Sequence, residues 1–260
     1  MLQIINLKIK KVMASTSETG HSKNVANFDE LISFVKGYGT AYNPTKASLC
    51  LAELQNLSTR AKNAIDAVNA AFPAYTNAIA AREVAFAPLN KLVTRVINAL
   101  KATDTSEQVD DSARTLVRKI QGRRASAKMT EEEKNSLSAE GKEATEISSS
   151  QMSYDSRLDN FDKLIKLLSG VALYIPNETE LTVSTLTALY NDLKIKNSDV
   201  VTASTPLSNA RISRNAILYK ENTGLVDIAL DTKSYIKSLY GATSPLFKQA
   251  SNLEFRTIRA

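Results

Sequence analysis

Residues 27–32, Asn-Phe-Asp-Glu-Leu-Ile, return at 160–165 as Asn-Phe-Asp-Lys-Leu-Ile, and this self-similarity constrains the fold more than anything else in the chain. After a one-residue slip the register settles at an offset of 132 and runs without a net gap from Tyr42/Tyr174 to Asn90/Asn222. Between those ends lie the identical pairs Pro44/Pro176, Leu49/Leu181, Leu54/Leu186, Leu57/Leu189, Lys62/Lys194, Val68/Val200, Ala71/Ala203, Asn77/Asn209, Ala78/Ala210 and Arg82/Arg214. A repeat of about 130 residues is far above the roughly 20–50 of stacked solenoid repeats. The pattern therefore predicts duplication of a domain-sized unit, with the copies packed about a pseudo-twofold axis.

Each unit reads as helix. Only 8 glycines and 6 prolines punctuate 260 residues, well below the roughly 12% combined share of average proteins, and no stretch alternates apolar and polar residues as a half-buried strand would. The predicted class is all-α, an elongated bundle of two related copies with long, kinked helices. In each copy a short amphipathic helix comes first, capped by Asn24 or Asn27 and by Asp159 or Asn160, and closed by Gly37 and Gly170. Tyr42-Asn-Pro44 and Tyr174-Ile-Pro176 follow as loops. A long apolar seam then runs through Leu54, Ala61, Ile65 and Val68 past Pro73, and through Leu186, Leu193 and Val200 past Pro206. Because the apolar phase continues beyond both prolines, they should kink these helices without ending them. Pro88 and Asn222-Thr-Gly224 mark real breaks before a returning third helix. The expected layout is a weakly ordered tail over 1–23, a first copy over 24–125, a polar connector over 126–150 and a second copy over 151–260. Thr130-Glu-Glu-Glu133 would open a charged helix within the connector.

The balance of 33 basic against 27 acidic residues leaves a net charge of +6, weak grounds for an acidic partner. A single cysteine, Cys50, allows no disulfide within the chain and favours a reducing compartment. At the N-terminus, Asn6, Lys8, Lys10 and Lys11 interrupt the apolar residues in the wrong order for a signal peptide; Met13-Ala-Ser-Thr-Ser reads as a second possible start. No apolar run reaches the roughly 18 residues that a membrane span needs, and a cytoplasmic location is expected.

Residues that could carry chemistry are few. His21, the one histidine, lies in a polar segment and reads as an exposed tail residue. Cys50 reads as a buried, inert thiol. Ser33/Lys36 and Ser234/Lys237 match Ser-x-x-Lys but lack the companion motifs of acyl-transferring enzymes, so they read as surface pairs. Asp110-Asp111 and Glu131–Glu133 are adjacent carboxylates that diverge on a helix and make a poor metal pair. No catalytic, cofactor-binding or metal-binding residue is predicted, and no cofactor or small-molecule substrate. Two groups remain. The basic cluster Arg114, Arg118, Lys119, Arg123, Arg124 and Lys128 is the first: on a single helix Arg114, Arg118, Arg124 and Lys128 would cover one sector, beside Leu116, Val117 and Ile120, and form a candidate anion-binding face; Gly122 threatens that helix, and solvated salt bridging is the plainer reading. Asn77, Arg82 and Asn90 recur as Asn209, Arg214 and Asn222; Arg82 and Arg214 interrupt the seam, so these residues, Asn77, Arg82, Asn209 and Arg214 above all, read as structural polar pairs in which each arginine meets a carboxylate or a carbonyl.

The strings Gln151–Phe161 (QMSYDSRLDNF), Asn209–Asn215 (NARISRN) and Gly224–Ala229 (GLVDIA) resemble those of an uncharacterised, internally duplicated helical family of Bacteroidota, across most of residues 24–258. The resemblance implies a helical fold and assigns no activity. Long seams, duplication and missing catalytic groups point to a non-enzymatic structural or protein-interaction protein, acting on a partner or on itself. The alternatives are a membrane-active, pore-forming helical protein, supported by the apolar Leu167–Ile175 run, and nucleic-acid binding through the basic cluster, which is not favoured.

Overall fold

The computed structural model describes residues 16–123, 130, 136, 138 and 152–257. Among these residues every regular element is a helix. Helix α1 spans Thr16–Gly37, α2 Leu51–Phe86, α3 Leu89–Lys101 and α4 Glu107–Gln121. After the connector come α5 (Tyr154–Ser169), α6 (Val183–Tyr219), α7 (Leu225–Tyr240) and α8 (Pro245–Ser251). Short 3-10 turns at Ala47–Leu49 and Thr179–Leu181 precede the two long helices. Pro73 and Pro206 lie inside α2 and α6, which run on past them as the apolar phase requires.

The chain forms two compact units, and they do not follow the sequential copies expected above. One is built from the chain up to Pro73 together with the chain from Thr205; the other is Ala74–Ser204. Helical periodicity shows which face of α2 or α6 must be covered, but not that the covering changes part-way along. Each unit has its own core. In the first, Phe28, Leu31, Leu54 and Ala61 pack with Leu218, Leu225 and Ile236. In the second, Phe86, Leu89, Val93 and Ile120 pack with Phe161, Leu164, Leu186 and Leu193. Phe28 and Phe161 are both fully buried, as are Leu54 and Leu186, and Val68 and Val200 are both buried.

In the first unit α1 starts at Thr16, so Asn24 and Asn27 lie inside the helix and cap nothing. Nor is His21 an exposed tail residue: it is only 3% exposed, shares a hydrogen bond of 2.5 Å with the Tyr219 hydroxyl and stacks obliquely on that ring. Asn24 donates from Nδ2 to the Arg256 carbonyl at 2.8 Å and accepts the Arg256 N–H at 3.1 Å. One side-chain amide thus pairs with both backbone groups of a residue near the chain's end. Asn27 donates to the neighbouring Glu254 carbonyl at 2.7 Å. The extra turns of α1 are held by partners some 200 residues away, which local sequence does not encode.

The break after α6 is tight. Asn222 takes a left-handed conformation, with φ of 62°, and its N–H donates to Asp227 Oδ2 at 2.8 Å. Gly224 packs so closely that an added Cβ would lie 2.7 Å from both the N and the O of Lys220.

In the second unit α5 begins at Tyr154, ahead of the expected caps. Ser153 is the N-cap, its hydroxyl accepting the Ser156 N–H at 3.1 Å. Asn160 is buried within α5 and donates to the Ser156 carbonyl at 2.7 Å. Gly170 follows the last turn of α5 as expected. The face of α4 carrying Ala113, Val117 and Ile120 is buried.

Candidate functional site

The loop after α5 is stiffened from within. The Tyr174 N–H donates to the Val171 carbonyl at 3.0 Å, and the Tyr174 hydroxyl donates to the Leu181 carbonyl at 2.8 Å, fastening the loop's two ends together. Burial, reinforced by the charge of Glu178, pushes that hydroxyl's pKa up to about 12. Arg95 on α3 forks onto Glu180, Nη1 to Oε2 at 2.6 Å and Nη2 to Oε1 at 3.2 Å. The shared hydrogen bonds raise the arginine's pKa and lower that of the carboxyl.

Between this loop and α3 lies an open groove of about 510 Å³, lined by Arg95, Asn98, Ala99, Ala102 and Thr103 on one side and by Tyr174–Glu178 and Leu181 on the other. Within the apolar Leu167–Ile175 run, Leu168 and Tyr174 are buried, but Leu173 is 55% and Ile175 80% exposed. Two bulky aliphatic side chains therefore project from a braced loop, with a forked ion pair close by. In the first unit the loop after α1 has a comparable brace: the Tyr42 hydroxyl donates to the Leu49 carbonyl at 2.8 Å, and Lys46 pairs with Asp231 at 2.5 Å. There, at the offset of 132, Ala41 and Asn43 stand where the other loop has Leu173 and Ile175.

Of the basic face expected on one helix, α4 carries Arg114 and Arg118. Helix α4 stops at Gln121, and Gly122 takes a φ of 67°; Arg124 and Lys128 lie outside the described residues. Arg114 is paired with Asp111 at 2.5 Å, and Arg118 donates to the Thr115 hydroxyl at 3.0 Å. The connector's Glu131–Glu133 also lies outside the described residues.

The seam polar residues divide. Asn77 and Asn209 are exposed, so they are not structural pairs within the bundle. Arg82 donates to Asn197 Oδ1 at 3.1 Å, and its Cζ lies over the Tyr154 ring. Arg214, only 4% exposed, donates from Nε and Nη2 to Asn215 Oδ1 at 3.1 and 2.9 Å. Both arginines thus meet a side-chain amide carbonyl. The partners lie at unrelated positions, so the offset of the repeat could not have named them.

Cys50 is half-buried beside the Pro44 carbonyl. Ser33, Lys36, Ser234 and Lys237 are exposed. Among the described residues no three His, Cys, Asp or Glu side chains are grouped to hold a metal ion, and no helix is long and apolar enough to cross a membrane. The groove beside Ile175 was not singled out as a site in the sequence; its signal was Ile175 standing where the first copy has Asn43.

Fold and groove define an all-helical protein with a braced apolar surface loop. No family model matches the chain, no curated protein matches it, and no solved structure matches it.

Proposed function

We propose that this chain is a non-enzymatic helical interaction protein that binds a protein partner, a second copy of itself being the simplest, through Leu173, Ile175 and the adjoining groove. The observation that carries this reading is the 80% exposure of Ile175 on a loop braced at Tyr174 and Glu180. Covering one such aliphatic side chain is worth roughly 1.5–3 kcal/mol, and a braced loop gives up little conformational freedom on binding. The Arg95–Glu180 fork at the rim supplies charge that can fix the partner's orientation.

Sedimentation over a range of concentrations tests the self-association arm. Wild type should grow heavier with concentration, and Ile175→Asp should stay monomeric. A wild type that stays monomeric throughout would leave only a different protein as partner. A measured turnover abolished by one side-chain substitution would sink the non-enzymatic reading altogether.

The same reading includes an origin by duplication, with pseudo-twofold-related copies and kinship to the Bacteroidota family. Its support is the run of identical pairs at an offset of 132 and the matching 2.8 Å bonds, Tyr42 to Leu49 and Tyr174 to Leu181. An experimental structure in which Phe28 and Phe161 fail to superpose would refute it.

A further inference from the structure

In the second unit the C-terminal end of α4 is tied to the first turns of α3. Gln121 Nε2 donates to the Asn90 carbonyl at 2.9 Å and to the Thr94 hydroxyl at 2.8 Å. Beside this tie is a pocket of about 300 Å³ lined by Asn90, Lys91, Thr94, Gln121 and Arg123. The lining holds two cations and no carboxylate. Among the described residues neither Lys91 nor Arg123 forms an ion pair, whereas Arg95 on α3 and Arg114 on α4 each have an acid partner.

A third guanidinium sets the amide in the pocket wall. Arg157 donates from Nη2 to Asn90 Oδ1 at 3.1 Å, so the amide's oxygen is occupied and its Nδ2 is left to donate. The Arg157 Nε is itself buried with no acceptor among the described residues. The backbone adds to the positive field. Asn90 and Lys91 lie in the first turn of α3, the positive end of its dipole. At the opposing end of α4, the N–H groups of Gly122 and Arg123 close onto the Lys119 and Arg118 carbonyls at 3.2 and 2.9 Å, so two of the terminal carbonyls there are capped.

We propose that this pocket binds a phosphate-type oxyanion, held by Lys91 and Arg123 with Asn90 Nδ2 as the oriented donor, and with Arg157 as the residue that positions Asn90. Uncompensated cations around a small pocket suit a compact, multiply charged anion, and guanidinium matches phosphate geometry with two parallel donors. The site is independent of the Leu173–Ile175 surface, and of the basic cluster read from the sequence it uses Arg123 alone.

Isothermal titration of the full chain with inorganic phosphate, and separately with O-phosphoserine, tests this. Saturable binding of either is expected, weakening as salt is added. Tighter binding of O-phosphoserine would identify an organic phosphate as the natural source, and tighter binding of inorganic phosphate the free ion. Lys91→Ala and Arg123→Ala, both at exposed positions, should each weaken binding at least about tenfold, since one charge-assisted hydrogen bond is worth roughly that factor. Arg114→Ala should leave binding unchanged. Arg157→Lys should weaken binding while far-ultraviolet circular dichroism stays at the wild-type level. Absence of saturable binding up to tens of millimolar, or binding indifferent to both Lys91→Ala and Arg123→Ala, would overturn the proposal.

Discussion

The Cζ of Arg82 sits 3.9 Å from the centre of the Tyr154 ring. The Phe86 ring meets the same tyrosine edge-on, with centroids 4.8 Å apart, so the guanidinium and two aromatic rings form one packed group joining α2 to α5. Tyr154→Ala should destabilise the second unit by roughly 2–4 kcal/mol, from lost aromatic packing plus a cation–π contact of about 0.5–2 kcal/mol. Tyr154→Phe keeps the ring and should stay within about 0.5 kcal/mol of wild type. Urea unfolding of the two variants side by side is the check; equal losses would show that the hydroxyl, not the ring, matters.

Two tyrosines predict an alkaline limb. Burial is the chief cause that pushes both Tyr42 and Tyr174 up to about 12 from the ordinary 10.0. The unfolded chain releases these protons near pH 10 and the folded chain holds them to about 12. Their contribution is therefore complete below pH 10 and is lost as pH rises through 12, on the order of 1–2 kcal/mol for each residue. Tyr42→Phe and Tyr174→Phe should each cost about 1 kcal/mol at neutral pH through the lost bond to Leu49 or Leu181, and should flatten the decline above pH 10. Denaturant titrations at stepped pH measure both effects. An undiminished limb in the double variant would assign it to other groups.

Charge placed in the seams should be severe. Val68 and Val200 are both buried, so Val68→Asp and Val200→Asp should each cost several kcal/mol, because an unpaired carboxylate would be forced into an apolar setting. Thermal melting is sufficient to check this, and unchanged midpoints would contradict the burial of either position.

Glycine has two different meanings here. Gly224→Ala drives a Cβ to within 2.7 Å of the Lys220 backbone, which cannot yield as a flexible side chain would; a loss of roughly 1–3 kcal/mol is expected. Gly37→Ala meets nothing within 4 Å and should be neutral, or stabilising by up to about 1 kcal/mol through the unfolded chain. Comparing the two melting points separates steric need from simple helix termination.

Local signals were legible in the sequence: helix class, the break at Asn222-Thr-Gly224, Gly122 ending α4, and helices continuing through Pro73 and Pro206. These depend on neighbours a few residues apart, which periodicity and turn chemistry report. The start of α1 was not legible, because His21 and Asn24 are stabilised by Tyr219 and Arg256. The partners of Arg82 and Arg214 were equally hidden. So was the pocket, since Lys91 on α3 and Arg123 just beyond the end of α4 reach one pocket only through the way α3 and α4 pack. A helix's apolar stripe shows that something covers it and leaves the covering element unnamed.

The division of the chain at Pro73 and Thr205 bears on how the protein emerges during synthesis. Domains usually close in the order in which they are made. Here the Ala74–Ser204 unit is contiguous and has its whole chain once Ser204 has left the ribosome. The earlier segment must wait, with Phe28, Leu31 and Leu54 uncovered, until Leu218, Leu225 and Ile236 arrive to complete their core. Chains arrested soon after Ser204 has emerged should thus resist protease over 74–123 and 152–204 while 20–73 is still cut. The residues up to Pro73 are protected later than the segment made after them, and in that interval they are natural clients for a chaperone.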